Sequence, residues 1–333
     1  MPFVPDWFYG SGSAFAVLCA AFAFDAVFGS LPGFRHFLTL PAGLTRVLVR
    51  RADRRLNRSK RSTRSRRLRG ALVVLFLLAA SIVTGMYAAA FCRSVPDGWI
   101  VETVLIAMCI GLQRPVITAT VLRRAIAASG LDRGRLVLEG ATGVEAGGLD
   151  AHGLARGSVE LFAVRLCDGL VGPVFWYALA GLPGLFAYRV AVTIADSLPF
   201  RTPSYAAFGA AAAAMDRLFN ALPAPLTGAL IVAGSLFSPT ARPVAAFRGA
   251  FAGAGVGRLP REGWTFGAVA GALGLCLAGP RRMNGELAPG GWIGDGRARA
   301  TATDIARAAW LYLITIFLGL VPVALLALVV ARP

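Results

Sequence analysis

Gly70-Ala-Leu-Val-Val-Leu-Phe-Leu-Leu-Ala-Ala-Ser-Ile-Val-Thr-Gly-Met-Tyr-Ala-Ala-Ala-Phe91 is a run of 22 residues without a charge. A helix of that length, at about 1.5 Å per residue, covers the ~30 Å hydrocarbon core of a bilayer. Upstream of it, twelve arginines or lysines lie between Arg46 and Arg69, against one acid, Asp53. The positive-inside rule reads that run as a cytoplasmic loop against anionic lipid. Nucleic acid is a poor alternative partner, because no aromatic-rich strand or recognition helix accompanies the charge. Leu44, Val47, Leu48 and Ala52 give the run's first half an apolar stripe, suited to an amphipathic helix on the membrane face. Its second half, from Asn57, is expected to be a polar loop.

Composition agrees. The 333 residues are 56% hydrophobic and 15% charged, with net charge +17, whereas a soluble domain carries about 25% charged residues. Spans are expected at 11–28, 70–91, 171–190 and 308–330, with 99–119 and 222–237 as candidates for a fifth and sixth. No basic n-region precedes the first and no small-residue cleavage site follows, so it reads as a retained anchor. Asp25 lies near its end, within reach of the interface. Arg123–Glu139 reads as an amphipathic helix broken at Gly130, 238–261 as a Gly/Pro/Arg loop, and 281–307 as a polar stretch. Gly267–Gly279 is too short to span, and its small residues suit close helix packing. The sequence therefore predicts an all-α, polytopic integral membrane bundle with interfacial and broken helices, forming one domain over 1–333.

The chemistry concentrates in 143–220. Asp150 is placed to cap a helix over 149–168. Val171–Val190 is one membrane thickness long but is interrupted by Pro173, Gly181, Pro183 and Gly184. Broken helices are tolerated at membrane depth where backbone lines a cavity or is buried in protein. Glu160, Asp168 and Asp196 lie in or beside these apolar segments, where an ionisable group is a functional candidate by default. Two readings stay open for each acid. One is a site; the other is a structural ion pair, Arg156 with Glu160 and Arg165 with Asp168 at helical spacing. A full span at 171–190 would put Asp168 and Asp196 on opposite sides. The breaks permit a re-entrant segment instead, with both acids opening to the cytoplasmic side. Asp216 and Asn220 share a helix face further on.

Other signals are weak. The five cysteines are isolated, with no metal-ligand spacing to His36 or His152, and read as small buried hydrophobes. Gly253-Ala-Gly255-Val-Gly257 lacks the lysine of a phosphate-binding loop.

Taken in order, the residues are similar to those of the CobD/CbiB family, the membrane-bound adenosylcobinamide-phosphate synthases. The likeness runs from about 20 to 320. It begins with Asp25, Gly29, His36, Leu56-Asn-Arg58 and Arg67-Leu-Arg-Gly70. The central block carries Leu149-Asp150, Arg156, Val159-Glu160, Asp168-Gly169 and Pro173-Val-Phe-Trp176. It continues through Gly181-Leu-Pro-Gly184, Tyr188-Arg189, Asp196-Ser197, Arg201, Phe208-Gly209, Asp216 and Asn220. Gly263-Trp264, Ala270-Gly-Ala-Leu-Gly274 and Gly279-Pro280 follow. The resemblance implies an inner-membrane ligase of cobalamin biosynthesis that joins aminopropanol, or its phosphate, to a carboxyl of cobyric acid. It implies ATP and Mg2+ as cofactors, the lipid bilayer and the corrinoid as partners, and contact with other cobalamin-pathway proteins. Such chemistry implies Glu160, Asp168 and Asp196 as catalytic carboxylates, the latter two also as metal ligands. It implies Arg156, Arg189, Arg201, Ser197, Asp216 and Asn220 as substrate-binding groups.

The chain departs from the family pattern at several polar positions. Gly-Arg-Asp-Thr is Gly143-Val-Glu-Ala146, Glu-Ser-Leu-Ala-Glu-Asn is Glu160-Leu-Phe-Ala-Val-Arg165, and Pro-Asn-x-Gly is Pro260-Arg-Glu-Gly263. Two further classes stay open beside the ligase: a non-catalytic membrane partner or sensor on the same fold (AmpE-like), and a transporter.

Overall fold

The computed structural model describes residues 14–58, 62–128, 130–198, 202, 204–257, 259–283, 285–288 and 290–330. The helices in order are α1 (Ala14–Phe28), α2 (Pro32–Leu56), α3 (Thr63–Ser94), α4 (Gly98–Ala107), α5 (Gln113–Ala127), α6 (Leu131–Thr142), α7 (Ala151–Leu166), α8 (Gly172–Ser197), α9 (Ala210–Phe219), α10 (Pro223–Leu236), α11 (Pro243–Gly253) and α12 (Pro260–Leu273). Four short strands, β1 (Leu277–Ala278), β2 (Arg281–Met283), β3 (Glu286–Ala288) and β4 (Trp292–Ile293), precede α13 (Ala302–Val330).

By length and composition, α3, the run Ala151–Ser197 and α13 are able to cross a membrane, and the bent pair α9–α10 adds a fourth candidate. The protein is an all-α membrane bundle. Its outward residues explain the solvent it needs. α3 exposes Leu72, Leu75, Phe76, Met86 and Tyr87, and α13 exposes Trp310, Phe317, Leu325 and Leu328. Apolar surface of that extent is covered by lipid rather than water.

The described part of the first expected span, α1, is 15 residues long and packs inside the bundle. Asp25 does not reach an interface; it is buried, and its Oδ2 accepts the Leu112 N–H at 2.9 Å. Segment 99–119 is not one helix but α4 and α5, broken at Met108–Leu112. The expected polar loop after Asn57 is short: Ser62 caps α3 by accepting the Ser65 N–H at 3.3 Å, so Arg64 to Arg69 belong to that helix. The 238–261 stretch, expected as loop, contains α11. The 281–307 stretch carries β2, β3 and β4, with β1 just ahead of it; β1 pairs with β4 and β2 with β3, both antiparallel.

The break at 181–184 is a reversal. Gly181 has φ 59° and ψ −151°, a conformation open to glycine, and Ala180 is also non-helical. A straight helix would hold Cys167 and Tyr188 about 31 Å apart. Instead the Tyr188 hydroxyl donates to the Cys167 carbonyl at 3.3 Å, and Arg189 donates to the Asp168 carbonyl at 3.4 Å. The two arms of α8 fold back on each other and bring Asp168 near Asp196. Gly85 of α3 lies against Pro183 at the turn, leaving no room for a side chain.

α11 and α12 pack backbone to backbone. Gly249 and Gly253 of α11 face Gly263 and Gly267 of α12, an i, i+4 ladder of small residues. A β-carbon at Gly267 would overlap the Gly249 carbonyl. Gly267→Leu is therefore expected to destabilise the protein by at least ~1–3 kcal/mol. Its thermal unfolding midpoint in detergent should fall well below that of Ala268→Val, and equal midpoints would refute the packing account.

Candidate functional site

Asp150 starts the site by fixing α7: its Oδ1 accepts the Gly153 N–H at 2.7 Å. α7 then delivers Arg156, Glu160 and Arg165 along its length and ends in a π-helical turn, Cys167–Val171. Such turns recur at functional sites because they re-aim side chains within a helix. Asp168 sits in this turn with no solvent exposure.

Three carboxylates converge on one guanidinium. Arg261, at the start of α12, is 1% exposed. Its Nη1 donates to Asp168 Oδ2 and its Nη2 to Asp196 Oδ1. Its Nε lies 3.2 Å from Asp216 Oδ1. Burial pulls the Arg261 pKa down, yet the charges of Asp168, Asp196 and Asp216 together hold it well above its ordinary value. The cluster extends through side-chain hydrogen bonds. Asn220 Nδ2 donates to Asp216 at 3.2 Å, and the Asn220 carbonyl oxygen accepts the Tyr188 hydroxyl at 3.1 Å. Asp168 Oδ1 and Asp216 Oδ2 remain buried without a hydrogen-bond partner. Tyr188→Phe removes the one donor proton that Asn220 Oδ1 and the Cys167 carbonyl share, and about 1 kcal/mol of stability is expected to go with it. A thermal midpoint equal to wild type would show the hydroxyl to be dispensable.

Glu160 belongs to a second group. Its Oε1 accepts the Ala278 N–H at 2.7 Å, and its Oε2 accepts from Arg281 at 2.6 Å. Arg156 is 3.9 Å away and lies 5.0 Å from the centroid of the Trp292 ring. Both β-pairs thus form a roof over α7, tied down further by Glu145, which accepts the Gly285 N–H. Beneath the roof is a cavity of about 540 Å3 lined by Arg156, Glu160, Arg165, Asp196, Arg261 and Arg281 among others. Asp196, its side chain 34% exposed, is the member of the triad that opens onto this space. Asp168 and Asp216 lie beneath Arg261, away from it.

The remaining candidates divide. Arg189 and Asn220 are buried in the network and line neither this cavity nor its neighbours. Ser197 donates to the Thr193 carbonyl at 2.6 Å and, with Asp196, lines a further cavity of about 320 Å3. Arg201 lies outside the described residues. The local ion-pair expectation is met at one of its two places: Arg156 pairs with Glu160 at 3.9 Å, whereas Asp168 pairs with Arg261, not Arg165. Arg261 and Arg281 were not singled out from the sequence as site residues. The signal for Arg261 was present, as the arginine standing where the family pattern has asparagine. Arg281 left none, since strand placement decides its reach.

The acids that the resemblance assigns to a metal both accept from Arg261. The guanidinium stands at the centre of the carboxylate cluster, where a cation would sit, so the cluster does not fit Mg2+. Among the described residues no group of three or more His, Cys, Asp or Glu is arranged to hold a metal ion.

Comparison with known proteins places the chain. The family described as CobD/Cbib protein matches residues 18–312. Relatives named cobalamin biosynthesis protein CobD are similar along most of their length. That of a Sinorhizobium species is 36% identical over 256 residues, 76% of this chain and 79% of the relative. That of Sinorhizobium fredii is 34% identical over 300 residues, covering 88% and 91%. That of Rhizobium meliloti is 32% identical over 305 residues, covering 91% and 93%. No solved structure matches. With its fold, its colinear motifs and a match across most of its length all in agreement, the chain belongs to the CobD/CbiB family.

Proposed function

We propose that this membrane protein acts in cobalamin biosynthesis by forming the amide between a carboxyl of cobyric acid and aminopropanol or its phosphate, in the cytoplasmic membrane. The observation that carries the reading is the roofed cavity, in which arginines from three separate elements meet carboxylates that include Asp196, the member of the Arg261 cluster that opens onto it, within a chain of this family.

Amide formation from a carboxylate needs activation. ATP, when bound, would supply the phosphoryl group that turns the carboxylate into an acyl phosphate, with ADP as the leaving group. The amine then attacks the carbonyl carbon, phosphate departs, and the amine's surplus proton passes to a base. Arg156 and Arg281 are positioned to hold the entering carboxylate or phosphate by charge-assisted bonds. Glu160 keeps both guanidinia in place. Asp196 is the group that receives the ammonium and takes its proton. Arg261 holds Asp196 from behind. The Asp168–Asp196–Asp216 cluster supplies no metal-dependent step.

The test uses purified protein in detergent with cobyric acid, ATP, Mg2+ and aminopropanol or aminopropanol phosphate, with cobinamide or its phosphate read by mass spectrometry. Product is expected with one of the two amines. Absence of product with both, while a CobD relative run in parallel is active, overturns the reading.

A further inference from the structure

On the far side of α7 lies another chamber, of about 490 Å3, between α2, α5, α6 and α7. Arg46, Arg114 and Arg165 line it, with Thr39 and Thr118 beside them. No carboxylate among the described residues does. Arg165 is 9% exposed and the other two are half-buried. None of the three makes an ion pair or hydrogen bond with a described residue. The nearest acids are engaged elsewhere: Asp168 and Asp196 on Arg261, and Asp25 on the Leu112 N–H.

Three converging guanidinia held largely away from water are unfavourable, by desolvation and by mutual repulsion, and the acids whose charge reaches them, Asp196, Asp168 and Asp25, are bonded to other groups. Burial first, then the charges of Arg189, Arg165 and Arg46, push Arg114 down to about 9. Arg46 is lowered too, by burial foremost. Folding tolerates such a cluster when an anion completes it. The remaining wall is apolar, with Ile117, Val121 and Val137, so the chamber suits an ester rather than a bare ion.

We propose that this chamber binds a phosphate group carried on a larger molecule, with Arg46, Arg114 and Arg165 as its ligands. Planar guanidinia match phosphate oxygens bidentately, and three of them neutralise a doubly charged group. Two sources share that chemistry. One is a water-borne phosphate ester or polyphosphate. The other is an anionic lipid headgroup, which the exposed Leu40, Leu44, Val47 and Leu48 on the adjoining face of α2 would bring close. The inference goes beyond the ligation reading and does not depend on it, because binding is read without turnover.

The experiment titrates the full-length protein in a phosphate-free detergent. One arm uses pyrophosphate by calorimetry, the other phosphatidylglycerol by native mass spectrometry. Saturable one-to-one binding is expected in at least one arm. Binding in the first assigns a water-borne ligand, and in the second a lipid. Arg114→Gln and Arg46→Gln are each expected to weaken it about tenfold or more, whereas Arg248→Gln, exposed on α11, stays within about twofold. A second readout needs no variant: the bound probe should shield Arg46, Arg114 and Arg165 of wild type from phenylglyoxal, mapped by peptide mass. No binding in either arm, unchanged affinity in both chamber variants, or shielding confined to Arg156 and Arg281 overturns the proposal.

Discussion

Arg261→Met is expected to cost about 3–5 kcal/mol, the penalty for removing one partner of a buried charge network and leaving the others uncompensated. Here the loss strands three carboxylates. Asp168 and Asp216 have no solvent exposure, so water cannot replace the guanidinium. The variant should accumulate poorly and lose its thermal transition in detergent. A compensating variant separates charge from packing. Arg261→Met with Asp168→Asn and Asp216→Asn removes the surplus negative charge while keeping side-chain shape, and it should recover more than half of the lost stability. Arg261→Lys should recover less, since one ammonium cannot serve three carboxylates on different elements. A single Arg261→Met variant within 1 kcal/mol of wild type would remove the cluster from any account of the fold.

Asp196→Asn should leave the protein folded and slow amide formation about 10²–10⁴-fold, the range for removing a general base. Asparagine still presents an oxygen to Arg261, so the cluster keeps two full charges and a neutral acceptor. If Asp196 receives the amine proton, kcat falls and the rate recovers as the pH is raised to supply free amine. If it merely positions Arg261, KM and kcat change little and the pH profile keeps its wild-type shape. Asp168→Asn is the comparison: buried beneath Arg261, it should lower stability more than turnover.

Much of this was legible in the residues, for identifiable reasons. The uncharged run at 70–91 is long enough that no other element could use it, and α3 formed around it. Asp150 lies three residues before Gly153, and that spacing is a cap. Gly181, Pro183 and Gly184 announced a break, and Gly181 alone makes the left-handed reversal that lets Asp168 and Asp196 meet. What failed to show was long-range placement. Asp25 looked like an interfacial acid because its partner, the Leu112 N–H, is 87 residues away. The α4–α5 break has no proline or charge at its centre to mark it. Strands two or three residues long carry no periodicity, so nothing placed Arg281 above Glu160. Arg261 stood out as a departure from a pattern, but its role depends on four elements converging, which sequence spacing does not encode.

The short strand pairs of the roof have one more consequence. In the proposed ligation the carboxyl of cobyric acid has to reach Arg156 and Arg281 beneath these strands. Ladders of two and three residue pairs are among the least costly parts of a protein to open locally. In that ligation, admission of the carboxyl would fall to this flap, which also holds Arg281. Lifting it would take the Ala278 N–H and Arg281 away from Glu160 and leave Arg156 as its neighbour.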